Sequence, residues 1–522
     1  MKIRVAALLA TLAAMPAAGQ NLVIGTGSPP LSADPHFFNG PADNALSASI
    51  YNRLVERDAM LRLQPSLAVR WGAVSSTAWD VHLRPDVRWS DGRPFGAEDV
   101  AFTLQRARNV PNSPGGFGTT LRAVARVEVV DPLLVRIHTN QPQATLPNDL
   151  SYISILPAHR AAGVTTEELN AARMTVTTAP YRLERFVPNE RVDLIRNPDH
   201  FGPAEPWSQV SIRIIRSPAS RVAALLSGDV EAIDLVPSVD LPRLKGDARL
   251  RVTESAGVRT VYLAPNLAAE VPEPPLLAST GGEPLAANPL RDRRVRQALS
   301  LALARDQLAE RVMEGAADPT FQFMPAGAYT FDAALGVPRQ DVAEARRLLA
   351  AAGYPNGFRL TLLAPNGSPI PNDARLAQAV AQQWTRIGVQ VAVEALPQTA
   401  FAPRQARSAF GVTMGSWGAT YGSVVSPFAS VVGSRDAAAG TGSFNFSRYS
   451  NPAVDALVRR SAAEFDDARR EAILLEGVRL VAEDVGVLPL FTLRNAWATR
   501  RGLVHQARAD GWMMPTAIRA AP

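Results

Sequence analysis

Side chains that could carry out chemistry are few and scattered along this sequence. There is no cysteine, which excludes thiolate catalysis and cysteine zinc sites. No two histidines stand three or four residues apart, and no HExxH, GxSxG or GxxxxGK[ST] motif occurs. We therefore predict a protein that is not an enzyme and has neither a metal site nor a cofactor. A secreted hydrolase stays the alternative, because catalytic groups can converge from distant positions.

The first glycine-rich stretch is GTGSPP at residues 25–30. It lacks the third glycine and the GK[ST] ending that place amides and an ammonium group on a phosphate. We interpret it as a turn that follows a strand at Leu22–Ile24.

The stretch that most favours a ligand is Phe410–Pro427, FGVTMGSWGATYGSVVSP. Larger residues alternate with smaller ones up to Met414, which predicts a strand with one buried face. The glycines that follow predict a loop whose backbone can approach another surface closely. Trp417 and Tyr421 in this loop are flat, amphipathic side chains without a nucleophile or base beside them, as in a binding surface. Packing of both rings into a core is the competing interpretation.

The elements that hold this stretch belong to an α/β chain of 522 residues, too long for one hydrophobic core. Helices are predicted at Ala45–Val55 and at Arg291–Met313. Residues 358–393 predict a strand, a helix and a second strand, the pattern of a βαβ unit. The predicted wet side of the second helix carries Arg291, Arg293, Arg294 and Arg296.

The N-terminus predicts export. Lys2 and Arg4 precede the apolar run Val5–Met15, and small residues follow, so we predict a signal peptide at residues 1–19. The run is shorter than the roughly 20 apolar residues that a membrane-spanning helix needs. Without cysteine there is no lipid acceptor behind the signal, which favours a soluble periplasmic protein over a lipoprotein.

Charge gives no reason to expect a nucleic-acid partner. The formal net charge is +6, and it falls to +4 without Lys2 and Arg4. The remaining basic residues are nearly all arginines and lie among acidic residues, which is typical of a solvated surface.

Residues 64–104, QPSLAVRWGAVSSTAWDVHLRPDVRWSDGRPFGAEDVAFTL, carry four linked elements: a strand, an LRP stretch, an aromatic-x-DG turn and an AEDV helix. In this order they resemble the family 5 solute-binding proteins of ABC importers, the oligopeptide, dipeptide and nickel-binding group. The similarity continues through VDLIRNPDHF at 192–201 and RVAALLSGDVEAID at 221–234. It departs at TTAPY (177–181), where the family usually has GTGPY, so that Ala179 indicates either a different local backbone or one that needs no positive φ.

The resemblance implies a two-lobed periplasmic-binding-protein fold of the type II class, in the large subclass with an extra subdomain, with mixed sheets. Lobe I would comprise residues 20–266 and 487–522, with a subdomain at about 45–169, and lobe II residues 267–486. Two strands, at Val258–Asn266 and Val487–Leu493, would cross between the lobes as a hinge. The implied function is capture of a small solute in the interlobe cleft by a monomer that delivers it to a permease in the inner membrane.

The resemblance also implies the residues that bind the ligand. Peptide-binding members carry a W-x-A-D-Y-like segment whose aspartate meets the ligand's ammonium group; here Thr420 replaces that aspartate, which weakens the case for free peptides. Short peptides and amino-acid-derived compounds stay the first expectation, with nickel chelates, opines and sugars as alternatives. The predicted ligand-binding residues are Trp417, Gly418, Thr420 and Tyr421, with Ser28 and His36 from the loop after the first strand.

Overall fold

The computed structural model describes residues 20–368, 370–437 and 439–522. The predicted signal peptide lies outside the described residues. Within them, a twelve-stranded mixed sheet forms the centre of the molecule. In spatial order its main path is Leu277–Ala278, Arg359–Asn366, Val412–Gly418, Leu250–Pro265, Leu488–Arg500, Ala232–Ile233, Gln20–Thr26, Trp207–Ile214, Arg191–Arg196 and Tyr181–Val187. Two strands pair off this path, Gln390–Pro397 with Arg359–Asn366 and Ala317–Pro319 with Leu488–Arg500.

A smaller antiparallel sheet lies within the predicted subdomain. Its two central strands alternate buried and half-buried residues because one face covers a core of large apolar side chains such as Trp89, Phe95 and Phe117, and its two edge strands are largely exposed. In spatial order they are Ala68–Ser75, Ala78–Leu83, Leu134–Thr139 and Val124–Asp131. The other short strands are Val55–Arg57 with Leu63–Pro65 and Leu503–His505 with Ile518–Ala520.

Helices cover the sheets and bury one face each, as their apolar spacing requires. The α-helices are Pro41–Ile50, Ala97–Arg106, Leu146–Leu150, Ala158–Ala161, Thr166–Asn170, Pro218–Ser227, Leu241–Gly246, Arg293–Leu301, Arg305–Gln307, Val342–Ala351, Asp373–Thr385, Gln398–Ala406, Val425–Pro427, Pro452–Ala463 and Asp467–Asp484. Wider helical turns follow at Leu308–Val312 and Phe428–Val432, and short 3₁₀ turns occur at Ser238–Asp240, Pro289–Arg291 and Pro515–Ala517. Among the described residues, no helix combines the length and the hydropathy that crossing a bilayer would need.

The predicted βαβ unit is confirmed. Arg359–Asn366 and Gln390–Pro397 pair in parallel, and the helix Asp373–Thr385 connects them. Ahead of this unit, the Asp341 side chain accepts a hydrogen bond from the Glu344 amide at 2.9 Å and begins the helix Val342–Ala351.

Two predicted helices were wrong in extent. The first runs over Pro41–Ile50 and ends because Tyr51 is extended, so the buried Leu54 packs from non-helical chain. The second is Arg293–Leu301 and is interrupted at Ala304, whose ψ of 78° is not helical. Apolar residues four positions apart can be buried from an extended chain as well as from a helix. Their spacing alone therefore predicted helices that were too long.

The predicted wet side of the second helix was also wrong at one position. Arg296 is 4% exposed. Its guanidinium donates to the carbonyls of Leu290, Arg291 and Asp484 and to the Asp484 carboxylate. It therefore joins this helix to the end of Asp467–Asp484 rather than facing water.

The two longest strands, Leu250–Pro265 and Leu488–Arg500, pair in two separate blocks. Residues 250–256 pair with 494–500, next to the strands of the N-terminal part, and residues 260–263 pair with 488–492, next to Val412–Gly418. Between the blocks the ladder is broken. At this break a Cβ on Gly257 would lie 2.6 Å from the Leu493 carbonyl oxygen, so only glycine fits.

Candidate ligand-binding site

The predicted strand and loop of residues 410–427 are confirmed in outline. The strand Val412–Gly418 lies antiparallel to Leu250–Pro265, with Gly418 opposite Arg259 and Trp417 opposite Thr260. After Gly418 the chain turns back, and the Gly422 amide donates to the Ala419 carbonyl at 2.8 Å. Thr420 and Tyr421 are therefore the two central residues of a β-turn.

Gly422 closes this turn against another part of the chain. Its φ is +70°, and a Cβ there would lie 2.9 Å from the Leu61 Cβ. A larger residue would be strained in conformation and would also push the turn away from Leu61. The glycine-rich loop thus does approach a second surface closely, as the sequence predicted.

The second surface is formed by Arg57 and Tyr152. The Arg57 Nη1 and the Tyr152 hydroxyl both donate to the Thr420 carbonyl oxygen, each at 2.8 Å. The Tyr421 ring lies 5.2 Å from the Tyr152 ring, and the Arg57 guanidinium lies 4.8 Å from Tyr152 and 5.6 Å from Tyr421. In this contact Thr420 acts through its backbone carbonyl, so the contact does not depend on whether the side chain of residue 420 is a carboxylate.

Trp417 points to different neighbours. Its ring is half-buried and meets Phe444 in a T-shaped contact at 5.2 Å, and its Nε1 donates to the Ser426 hydroxyl at 3.0 Å. Phe444 is 50% exposed. Trp417 and Phe444 together present an accessible aromatic surface next to the turn, with the polar edge of the indole already satisfied.

Gly418 leaves room for Arg259 on the neighbouring strand. A Cβ on Gly418 would lie 3.4 Å from the Arg259 Nη2. The Arg259 Nη1 donates to the Ser416 hydroxyl at 3.3 Å. Burial lowers the pKa of Arg259, and none of the ion pairs among the described residues includes it.

His36 lies in the interior, with no exposed surface at all. The Arg106 Nη1 donates to its Nδ1 at 2.9 Å, so its Nε2 donates to the Ser154 carbonyl at 2.8 Å. Burial and then the charge of Arg106 lower the pKa of His36 to about 4, so the ring is neutral near pH 7. Both ring nitrogens are thus occupied by protein groups.

Ser28 is exposed, and its amide donates to the Thr26 hydroxyl at 3.3 Å. Among the described residues, no hydrogen bond joins Ser28 or His36 to residues 416–421. The structure therefore brings together Trp417, Gly418, Thr420 and Tyr421, and it does not bring the other two predicted residues into contact with them.

Sequence reasoning missed Arg57, Tyr152 and Arg259. Arg259 did carry a signal, because it interrupts a run of apolar and small residues, GVRTVYLAP, that a buried strand would occupy. Arg57 and Tyr152 carried no such signal in the sequence, since their hydrogen bonds to Thr420 depend on how distant segments pack.

Arg57 also lines a cavity of about 270 Å³ on its other side. In the cavity wall the guanidiniums of Arg53 and Arg508 lie 5.4 and 5.7 Å from the Trp512 ring. Arg508 is paired with Asp510 at 2.7 Å. No group of three or more histidine, aspartate or glutamate side chains placed to hold a metal ion occurs in the described part of the chain.

Residues 62–439 match the model of the bacterial extracellular solute-binding proteins, family 5 Middle, which is most of the chain. The chain belongs to this family. Among curated relatives, the family 5 protein is 26% identical to the periplasmic oligopeptide-binding protein OppA of Salmonella typhimurium, over 94% of this chain and 91% of that protein. The sequence resemblance that predicted the family is thereby confirmed.

Solved structures agree on the fold of this family 5 protein. HbpA2 from Haemophilus parasuis superimposes with a TM-score of 0.84 at 22% identity, over 96% of this chain and 100% of that chain. The murein tripeptide binding protein MppA in its unliganded open form superimposes with a TM-score of 0.81 at 22% identity, over 97% of this chain and 98% of that chain. The predicted two-lobed fold with mixed sheets is confirmed.

Proposed function

We propose that this chain is the exported solute-binding subunit of an ABC importer, which closes its two lobes on a small solute and presents it to a permease in the inner membrane. The observation that carries the proposal is the contact of the Thr420–Tyr421 turn, on one side of the strand break, with Arg57 and Tyr152 on the other. A ligand next to this turn would touch both sides at once.

The hinge in this proposal is the break between the two paired blocks of the long strands. Lobe I takes residues 20–266 and 487–522, with the subdomain at about 45–169, and lobe II takes residues 267–486. Between the two blocks, residues 257–259 and the facing Leu493 leave this ladder, so they are the positions in the crossing strands where a change in φ and ψ would turn one lobe against the other.

A second contact supports closure between the same two parts. The Ala144 amide donates to the Ala462 carbonyl at 3.1 Å, and the Trp79 ring lies 5.6 Å from Phe465. Both contacts join the subdomain to lobe II. A ligand would shift the balance between the open and the closed form by its differential affinity for the two.

For the ligand we propose a short peptide or an amino-acid-derived compound that packs on Trp417, with Tyr421 and Gly418 beside it. Opines, sugars and nickel chelates remain candidates within the same cleft. The experiment is ligand-dependent thermal stabilisation of the mature protein, combined with analysis of each ligand after incubation. Stabilisation with the ligand recovered intact supports the proposal. Turnover of a peptide or ester would favour the hydrolase, and no stabilisation by any compound class would refute solute binding.

The mature protein is proposed to be a periplasmic monomer without a lipid anchor. The predicted signal peptide at residues 1–19 and the absence of cysteine support this. Its cleavage would be checked by the N-terminal sequence of protein recovered from the periplasm, which should begin at Gln20.

A further inference from the structure

The half-buried Arg259 has fewer protein partners than two buried arginines of this protein, Arg305 and Arg296. Arg305, 2% exposed, donates to the carbonyls of Pro489 and Ser300 and to the Ser300 hydroxyl, and its guanidinium lies 5.2 Å from the Phe321 ring. Arg296 is surrounded by carbonyls and a carboxylate as described above. In both of these arginines the guanidinium donors are filled by protein groups.

Arg259 has five N–H donors and uses one of them, in a 3.3 Å hydrogen bond to the Ser416 hydroxyl. No carbonyl or carboxylate of the described residues accepts a hydrogen bond from it. None of its unfilled donors is among the unpartnered polar atoms that are closed off from solvent in the described part of the chain, so these donors are open to a partner from outside the chain.

The position of Arg259 is where such a partner would come. It lies in the break between the two strand blocks, directly opposite Gly418. Gly418 adds no side chain beside the guanidinium, and the turn that contains Thr420 and Tyr421 begins at the next residue. The cation therefore sits at the proposed hinge, beside the strand end that leads into this turn.

The charged groups around the turn indicate the sign of the charge that a ligand would carry. Arg57, which holds the Thr420 carbonyl, makes no ion pair among the described residues, so two guanidiniums lack anionic partners here. The acidic group whose charge acts on Tyr421 is Asp149, and burial raises the pKa of Asp149 to about 7. It is therefore only partly ionised at neutral pH. Together these groups give the site cations and little negative charge.

We propose that Arg259 binds an anionic group of the solute, and that the solute is a carboxylate without a required ammonium group, such as an N-acylated or otherwise amino-blocked amino acid or peptide. This rests on the proposed function, which places the solute in this cleft. A planar guanidinium with free donors matches the geometry of a carboxylate, which can accept two parallel hydrogen bonds from it.

The test uses matched ligands and matched variants. The ligands are N-acetyl-alanyl-alanine, alanyl-alanine and alanyl-alanine amide. Dipeptides with larger side chains and the same three kinds of termini extend the set, and binding is measured by thermal shift and calorimetry. The variants are Arg259→Gln, Arg259→Lys and the control Arg251→Gln. Arg251 lies on the same strand but is exposed and makes no described ion pair.

The expected result is that carboxylate ligands with a blocked amine bind at least as well as the zwitterions and that the amides bind at least tenfold more weakly. Arg259→Gln should weaken the carboxylates at least tenfold, Arg259→Lys less, and Arg251→Gln less than twofold. If neutral or cationic ligands bind best, or if Arg259→Gln binds carboxylates as wild type does, the inference is overturned while solute binding stands. If no ligand of any charge stabilises wild type, the proposed function fails, and the inference fails with it.

Discussion

The hydroxyl of Tyr152 gives a direct way to perturb lobe closure while all the predicted ligand-binding side chains stay in place. It donates to the Thr420 carbonyl across the proposed interlobe contact at 2.8 Å, and Tyr152→Phe removes this bond while keeping the ring beside Tyr421. Arg57 donates to the same carbonyl but also to Ser151 and Asn148 in its own lobe, so its replacement would mix two effects.

A neutral intramolecular hydrogen bond contributes about 1 kcal/mol net. If the bond exists only in the closed form, its loss shifts the closed-to-open ratio about fivefold, because each 1.4 kcal/mol is tenfold. Where the open form dominates without ligand, the apparent dissociation constant rises by the same factor of about five. The melting temperature of the ligand-free protein should change little.

Closure can be measured directly because the chain has no native cysteine. Cysteines introduced at exposed Val74 in the subdomain and Ala350 in lobe II would accept a fluorophore pair, and energy transfer would report the lobe distance with and without ligand. Tyr354→Phe is the matched control, since it removes a tyrosine hydroxyl within lobe II, near Phe358. Equal closure and equal affinity in Tyr152→Phe and Tyr354→Phe would refute the role of this contact.

Three further predictions concern the ligand surface, the interior and the hinge. Trp417→Ala should weaken ligand binding at least tenfold in calorimetry while the fold stays intact; unchanged affinity would mean that the ring only packs against Phe444. His36 binds its proton with a pKa of about 4 in the fold and 6.5 when unfolded, so its contribution to stability is lost as pH falls from 6.5 to 4. In His36→Gln the loss in unfolding free energy between pH 7 and 4, measured with urea, should be smaller by about 3 kcal/mol, and an unchanged loss would contradict the buried neutral ring. Gly257→Ala should destabilise the protein by about 1–3 kcal/mol in urea and alter closure, because its Cβ would meet the Leu493 carbonyl at 2.6 Å; wild-type stability and closure would argue against a tight crossing there.

Much of the fold could be predicted from the sequence. Consecutive motifs with matching spacing identified the family, and the helix cap at Asp341 and the turn at Gly92, with φ of +86°, were readable from local chemistry. Ala179 was expected to need no positive φ, and it is not among the positive-φ residues. Local signals of this kind do not depend on distant contacts.

The residues of the candidate site could be predicted only where they are neighbours in one segment of the sequence. Trp417 to Tyr421 are contiguous, so their loop could be recognised. The Thr420 carbonyl is a backbone atom, and nothing in its residue type indicates that Arg57, more than three hundred residues earlier, will bind it. His36 followed the correct strand, yet its burial with Arg106 and Ser154 is a property of packing.

The central claim is that this protein holds a small solute and releases it unchanged. Native mass spectrometry of protein purified gently from the periplasm tests it most directly. The expected result is a one-to-one complex with a compound carrying a carboxylate, which is recovered with the same mass after denaturation and after prolonged incubation with fresh protein. Protein that never carries a small molecule, or a compound that returns as smaller fragments, would contradict it.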